Sequence, residues 1–152
     1  DIIVVMDDDD FYPVNRISHA VDKLQNSKKL IAGSTYLPIL YLPEKELWMA
    51  GPYGKNHATA STFAFKRKLL NITKFGNNCP LSEEKEFLKG YTIPLIQLDP
   101  YNTVISISHK TNTFSKEKMR LNPQKYKMNK LNLDKTNINI ISQINESYSE
   151  AI

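Results

Sequence analysis

The chain has 152 residues, 41% hydrophobic and 24% charged, with a net charge of +4, which is the size and make-up of a single globular domain with a real core. It contains no apolar run near the ~20 residues of a membrane helix, its first residues lack a signal-peptide pattern, and its lone cysteine, Cys79, excludes an internal disulfide and gives no hint of a thiolate zinc site. The basic residues are 17 lysines against only Arg16, Arg67 and Arg120; arginine rather than lysine reads bases and phosphates bidentately, so nucleic acid is not an expected partner.

In chain order, DIIVVMDDDDFYP sets an apolar, β-branched run against four consecutive carboxylates. Residues 2–6 read as a strand buried on both faces, which places it in the middle of a sheet rather than at its border. Pro13 opens a helix over 13–23, with Val14, Ile17 and Val21 on its inward face. Residues 30–32 and 36–42 are extended, the second ending before Pro43. GPYGKNHATASTFAFKRKLL follows as a Gly-Pro turn, a loop of small polar residues and a strand in TFAFKR. Ser82, the acids of EEKEFLKGY and Gly90 mark a short helix with Phe87 and Leu88 facing inward. Residues 93–98 and 103–108 are further strands, the latter closing at His109. Leu121, Leu131, Leu133, Ile138, Ile140, Ile141 and Ile144 offer a marginal helix without an evident core. Residues 116–152 are therefore expected to be a Lys/Asn/Ile-rich tail, peripheral or partly disordered, attached to a domain over 1–115.

The acidic quartet has a chemical rationale. In open α/β sheets ligands gather at the carboxyl ends of strands. Carboxylates crowded there repel unless a divalent cation sits among them, and Mg²⁺ or Mn²⁺ so held can neutralise a diphosphate. In an extended segment Asp7 and Asp9 project to one side and share a cavity while Asp8 turns away. A metal-bound diphosphate implies a nucleotide-activated donor, with the metal as Lewis acid on the leaving group. The plainer alternative is a solvated acidic turn or an adventitious calcium site.

The strand-end acids, the loop GPYGKNHATASTFAFKR, the helix start EEKEFL and the strand end SHKTNTF, in that order, resemble the C-terminal half of a GT-A-fold glycosyltransferase. They are similar to the family 2-like enzymes, including divergent versions from large DNA viruses. The resemblance spans about residues 1–114. It implies a partial GT-A fold, a Rossmann-like α/β fold with a mixed sheet flanked by helices. It also implies a metal-dependent, inverting transfer of a sugar from a nucleotide-diphosphate donor (a UDP-sugar most often) to a hydroxyl of a glycan, protein or small molecule.

By that resemblance Asp7, Asp8 and Asp9 fall on the family's acidic triplet. Asp7 lies towards the ribose or the metal and Asp9 ligates the metal, with Asp8 and Asp10 as the fallback pair one residue on. Glu83 and Glu84 fall on the family's acidic pair, with Glu84 the first choice as base deprotonating the acceptor and Glu83 the second; the alternative role is to stabilise the helix N-terminus. His109 completes the metal shell, and Asn112 and Thr113 position the phosphates or their loop. Gly51 and Gly54 allow close backbone approach. Asn56, His57, Thr59, Ser61 and Thr62 bond sugar hydroxyls, and Trp48 and Tyr53 stack on a pyranose face or belong to the core.

Family members carry about a hundred residues before this point, the nucleotide-binding strands. The resemblance thus implies missing N-terminal strands, supplied by a missing half or replaced by self-association through exposed strand edges. A cytoplasmic or host-cytoplasmic setting is expected. The competing readings are a non-catalytic carbohydrate- or nucleotide-binding remnant and a metal-dependent nuclease or phosphatase; no basic track accompanies the acids to favour the latter.

Overall fold

The computed structural model describes residues 1–42, 44–76, 83–109, 112 and 115–149. The chain is α/β, with two four-stranded sheets, each combining parallel and antiparallel pairs, where the sequence leads one to expect a single mixed sheet. The first sheet has the order β1 (Ile2–Val4), β5 (Ala64–Lys66), β2 (Ile31–Gly33), β6 (Leu95–Gln97). The second has the order β7 (Ser106–Ser108), β3 (Leu37–Tyr41), β4 (Glu46–Ala50), β8 (Met128–Lys130). Only β2–β6 and β3–β7 are parallel.

Period-2 alternation accounts for the layers of the first sheet. Ile2 and Val4 share one face with Ala32, Ala64 and Ile96, beneath α1 (Arg16–Gln25). Ile3 and Val5 share the other with Ile31, Phe65 and Leu95, packed on Phe87 and Leu88 of and just past α2 (Glu83–Phe87). Apolar side chains thus meet a layer on each face, but the strand spans only 2–4 of the expected 2–6 and Met6 is exposed. The expected central position is not found: β1 pairs with β5 alone and lies at a sheet edge, its residues only partly buried.

Two other expectations are corrected. The first helix begins at Arg16, not Pro13, and it buries Arg16, Ala20 and Leu24. Val14 is fully exposed and Ile17 is exposed. The small Ala20 lets the helix approach Ala32 and Ala64 closely, which a face of branched residues would not allow. The segment from 116 onward is not a bare tail. It forms α3 (Lys116–Leu121), β8 at the edge of the second sheet, and α4 (Lys135–Ser149), and it buries Met119, Met128, Ile141 and Ile144 against the sheet's two faces. Strand β4, ELWMA, escapes a reading by alternation because its residues are buried or half-buried on both sides. Among the described residues no helix is long and apolar enough to cross a membrane.

The two sheets are joined by the acidic quartet. Val5 donates to Phe63 O at 2.9 Å, one rung beyond β1. Six residues on, Phe11 exchanges backbone bonds with Ile105 at 3.0 and 2.9 Å, beside β7. Asp7–Asp10 lie in the crossing between them.

Candidate metal centre

Residues 8–10 bend into a turn, so the side chains do not alternate as in an extended segment. Asp7, Asp9 and Asp10 come together, with one carboxylate oxygen from each within 4.8 Å of the others. Asp8 is exposed and outside this group, although it lines the same cavity. The fallback pairing of Asp8 with Asp10 is therefore split.

The cavity is about 630 Å³. Its walls are the quartet, Thr59, Ala60 and Ser61 from the β4–β5 connection, Ser106 of β7, Asn112 and Lys116. Asp10 is the buried wall of the group, its side chain 4% exposed. Its Oδ1 accepts from Ser106 Oγ and from Ile107 N, each at 2.9 Å, and lies 3.6 Å from the Lys116 ammonium. Lys116 also donates to Ile107 O at 2.8 Å. Tyr12 Oη accepts from the Asp7 amide at 2.6 Å, fixing the start of the quartet. Desolvation, then the charges of Asp10, Asp9 and Glu83, raise the Asp7 carboxyl above its ordinary pKa, with Lys116 pulling the other way.

His109 follows β7, as expected, and its Nε2 lies 3.0 Å from Asp9 Oδ2. Asn112 touches both groups. Its Oδ1 accepts from the His109 amide at 2.8 Å, which orients the carboxamide. Its Nδ2 donates to Asp9 Oδ2 at 3.2 Å and lies 2.7 Å from His109 Nε2. Nε2 is thus within hydrogen-bond distance of both the carboxylate and the carboxamide, and its tautomer sets whether it donates to Asp9 or accepts from Asn112.

The donor set fits a divalent ion. Three carboxylates so grouped suit a hard ion such as Mg²⁺ or Mn²⁺, and His109 lies outside that group of three, beside Asp9. Ligands of one ion stand no further apart than twice the metal–oxygen distance, about 4.2 Å for Mg²⁺ and about 5 Å for Ca²⁺. A group within 4.8 Å needs little or no contraction.

The remaining sequence-predicted residues divide. Thr59 and Ser61 present hydroxyls in the acid cavity. Thr62 is buried, accepting from Ser34 N at 3.1 Å and donating to Thr59 O at 2.7 Å. Asn56 accepts from Leu95 N at 3.3 Å. His57 is sandwiched between Tyr53 and Tyr91, with ring centroids 5.0 and 4.0 Å away. Gly51, at φ +103°, makes its close approach to the Thr35 carbonyl, where a Cβ would collide; it serves the backbone and not a ligand. Gly54 has ordinary room at its Cβ position. Trp48, partly buried, packs against the core of the second sheet and donates to Glu46 Oε2 at 3.0 Å. Glu83 and Glu84 begin α2. Glu83 acts on Asp7, and Glu84 helps raise the pKa values of Tyr53 (to about 12) and Tyr91, after burial in each case. Ser82 and Thr113 lie outside the described residues.

Sequence reasoning missed Tyr12, Ser106 and Lys116. Lys116 stands in a segment read as peripheral, and Ser106 is an unremarkable inward position of a short strand; only the crossing of the quartet to β7 brings them together.

No family model matches this chain. No curated protein and no solved structure matches it either.

Proposed function

We propose that the chain holds a divalent cation at Asp7, Asp9, Asp10 and His109, takes up a nucleotide-sugar diphosphate against it, and belongs to a metal-dependent glycosyltransferase of GT-A type. The observation that carries this reading is the convergence of Asp7, Asp9 and Asp10, one carboxylate oxygen of each within 4.8 Å of the others, with His109 Nε2 3.0 Å from Asp9 Oδ2. A bound Mn²⁺ or Mg²⁺ would supply charge neutralisation and Lewis acidity to the leaving diphosphate. The protein's own groups have distinct parts. Asp10, buried and hydrogen-bonded, anchors the group. Lys116 supplies a fixed ammonium at the cavity wall. Thr59 and Ser61 offer hydroxyls to the sugar. In an inverting transfer the acceptor oxygen bonds to the anomeric carbon as the bond to the diphosphate oxygen breaks, and Glu84, with Glu83 second, takes the acceptor proton. Glu83 reaches Asp7 electrostatically while Glu84 acts on Tyr53 and Tyr91, and neither glutamate lines the acid cavity, so the base would have to act from its border.

A second reading, a non-catalytic carbohydrate- or nucleotide-binding remnant, is favoured by one fact. Gly51, Asn56, His57 and Thr62 are all committed to internal packing. A panel of nucleotide-sugars screened for thermal protection and turnover, with and without Mn²⁺, separates the two. The transferase reading predicts Mn²⁺-dependent protection by one donor, and a Glu84→Gln variant that keeps this protection but loses turnover by about 10²–10⁴-fold. Donor protection without turnover in the wild type supports the remnant. Full activity in Glu84→Gln removes the assigned base.

A further inference from the structure

Arg16 is the most buried charged residue among the described residues, at 1% exposure, and the cavity chemistry above leaves it unused. It has no ion pair among the described residues. One nitrogen, Nη2, donates to Val5 O at 3.2 Å and to Phe63 O at 2.9 Å, while Nε and Nη1 find no acceptor. Burial pulls its pKa down to about 10. Orphan donors on a desolvated charge are costly, and an apolar side chain of similar length would fill the space without them.

The two carbonyls it reaches explain what the guanidinium does there. Val5 is the last residue bonded to the first sheet before the chain leaves for Asp7. Phe63 follows directly on the turn of Thr59, Ala60 and Ser61, the facing wall of the acid cavity. Phe63 O already accepts from Val5 N, so the guanidinium adds a second tie across the same joint and binds both walls to α1. Tyr12, just before the helix, holds the Asp7 amide from the other side.

We propose that Arg16 is a positioning residue: anchored in α1, its guanidinium holds the strand end that carries Asp7 and Asp9 at a fixed separation from the turn that carries Thr59 and Ser61. The inference rests on reading that cavity as the cation site, and its test is built so that the two stand or fall separately. Arg16→Met and Arg16→Lys are compared with wild type in the full chain by residue-resolved amide hydrogen exchange, thermal melting and Mn²⁺ titration followed by electron paramagnetic resonance.

Arg16→Met is expected to melt close to wild type, because loss of a desolvated charge offsets the lost hydrogen bonds. Exchange should nevertheless accelerate at least about tenfold over residues 5–10 and 59–63 relative to the rest of the first sheet. Mn²⁺ affinity should fall about tenfold, the scale on which outer-shell partners of a metal site act. Arg16→Lys, with one short donor, should recover part of both. Exchange that is unchanged, or that rises uniformly with a lowered melting temperature, overturns the positioning role and leaves Arg16 a general packing residue; should Arg16→Met fail to fold, Arg16→Lys is judged by the same patterns. A wild type without saturable Mn²⁺ binding sinks the cation reading instead, and the exchange pattern still decides Arg16.

Discussion

At the scale of single residues, the site is a contest over charge. Burial, and then the neighbouring acids, raise the pKa of Asp7, and His109 Nε2 stands 3.0 Å from Asp9 Oδ2. His57 shows the same physics without a ligand. Burial between two tyrosines, and then Lys127, hold its imidazole below the ordinary 6.5. An unfolded chain binds a proton near pH 6.5 that the folded chain refuses, so stability rises with pH through the window below 6.5 and is lost as pH falls through it. His57→Phe, which keeps a ring in the stack, should flatten the dependence of melting temperature on pH between about 5 and 6.5; an unaltered slope would mean that His57 is not the titrating group. The nearness of Asp7 and Asp9 follows from their spacing, and the structure sets the strand-end His109 beside Asp9. The sequence offered Asp10 only in a fallback pair with Asp8, since its place depends on a turn at 8–10 and on Ser106 and Ile107, nearly a hundred positions away.

At the scale of elements, periodicity read correctly where two faces differ and misled where they do not. β1, β2, β5 and β6 alternate between two apolar layers, and Phe87 with Leu88 points inward as their spacing predicts. The first helix is the instructive failure. Hydropathy selects Val14, Ile17 and Val21, but the sheet beneath is made of small residues and rewards a helix face built on Ala20, with Leu24 at one end and a guanidinium reaching carbonyls at the other. The last helix fails in the opposite direction. Its apolar residues are diluted by Asn and Ser, yet Ile144 is fully buried against the second sheet. Ile144→Ala should cost about 2–4 kcal/mol in denaturant unfolding, whereas Ile138→Ala, on the half-exposed side of the same helix, should change stability by less than about 0.5 kcal/mol. Equal, small effects would show that α4 does not dock in solution.

At the scale of the whole molecule, the quartet makes sense as a junction. The chain leaves the first sheet at Val5 and joins the second at Phe11, and the acids occupy the gap. Thr59 and Ser61 close one side, and Ser106, Asn112 and Lys116 the other. Four like charges at the seam between two sheets should push them apart. Lys116 offsets part of that repulsion, and a cation held by Asp7, Asp9 and Asp10 would offset more. Metal binding should therefore stiffen the seam as well as prepare the cavity. The sequence suggested a metal at a strand end, but not that the strand end is also where the two sheets meet, because that depends on long-range pairing absent from any local pattern.

The most direct test is a Mn²⁺ titration of the wild type and of Asp9→Ala, followed by electron paramagnetic resonance. The account predicts one saturable site in the wild type that disappears in Asp9→Ala while the variant stays folded. No saturable binding at millimolar Mn²⁺ in the wild type, or the same site intact in Asp9→Ala, would contradict it.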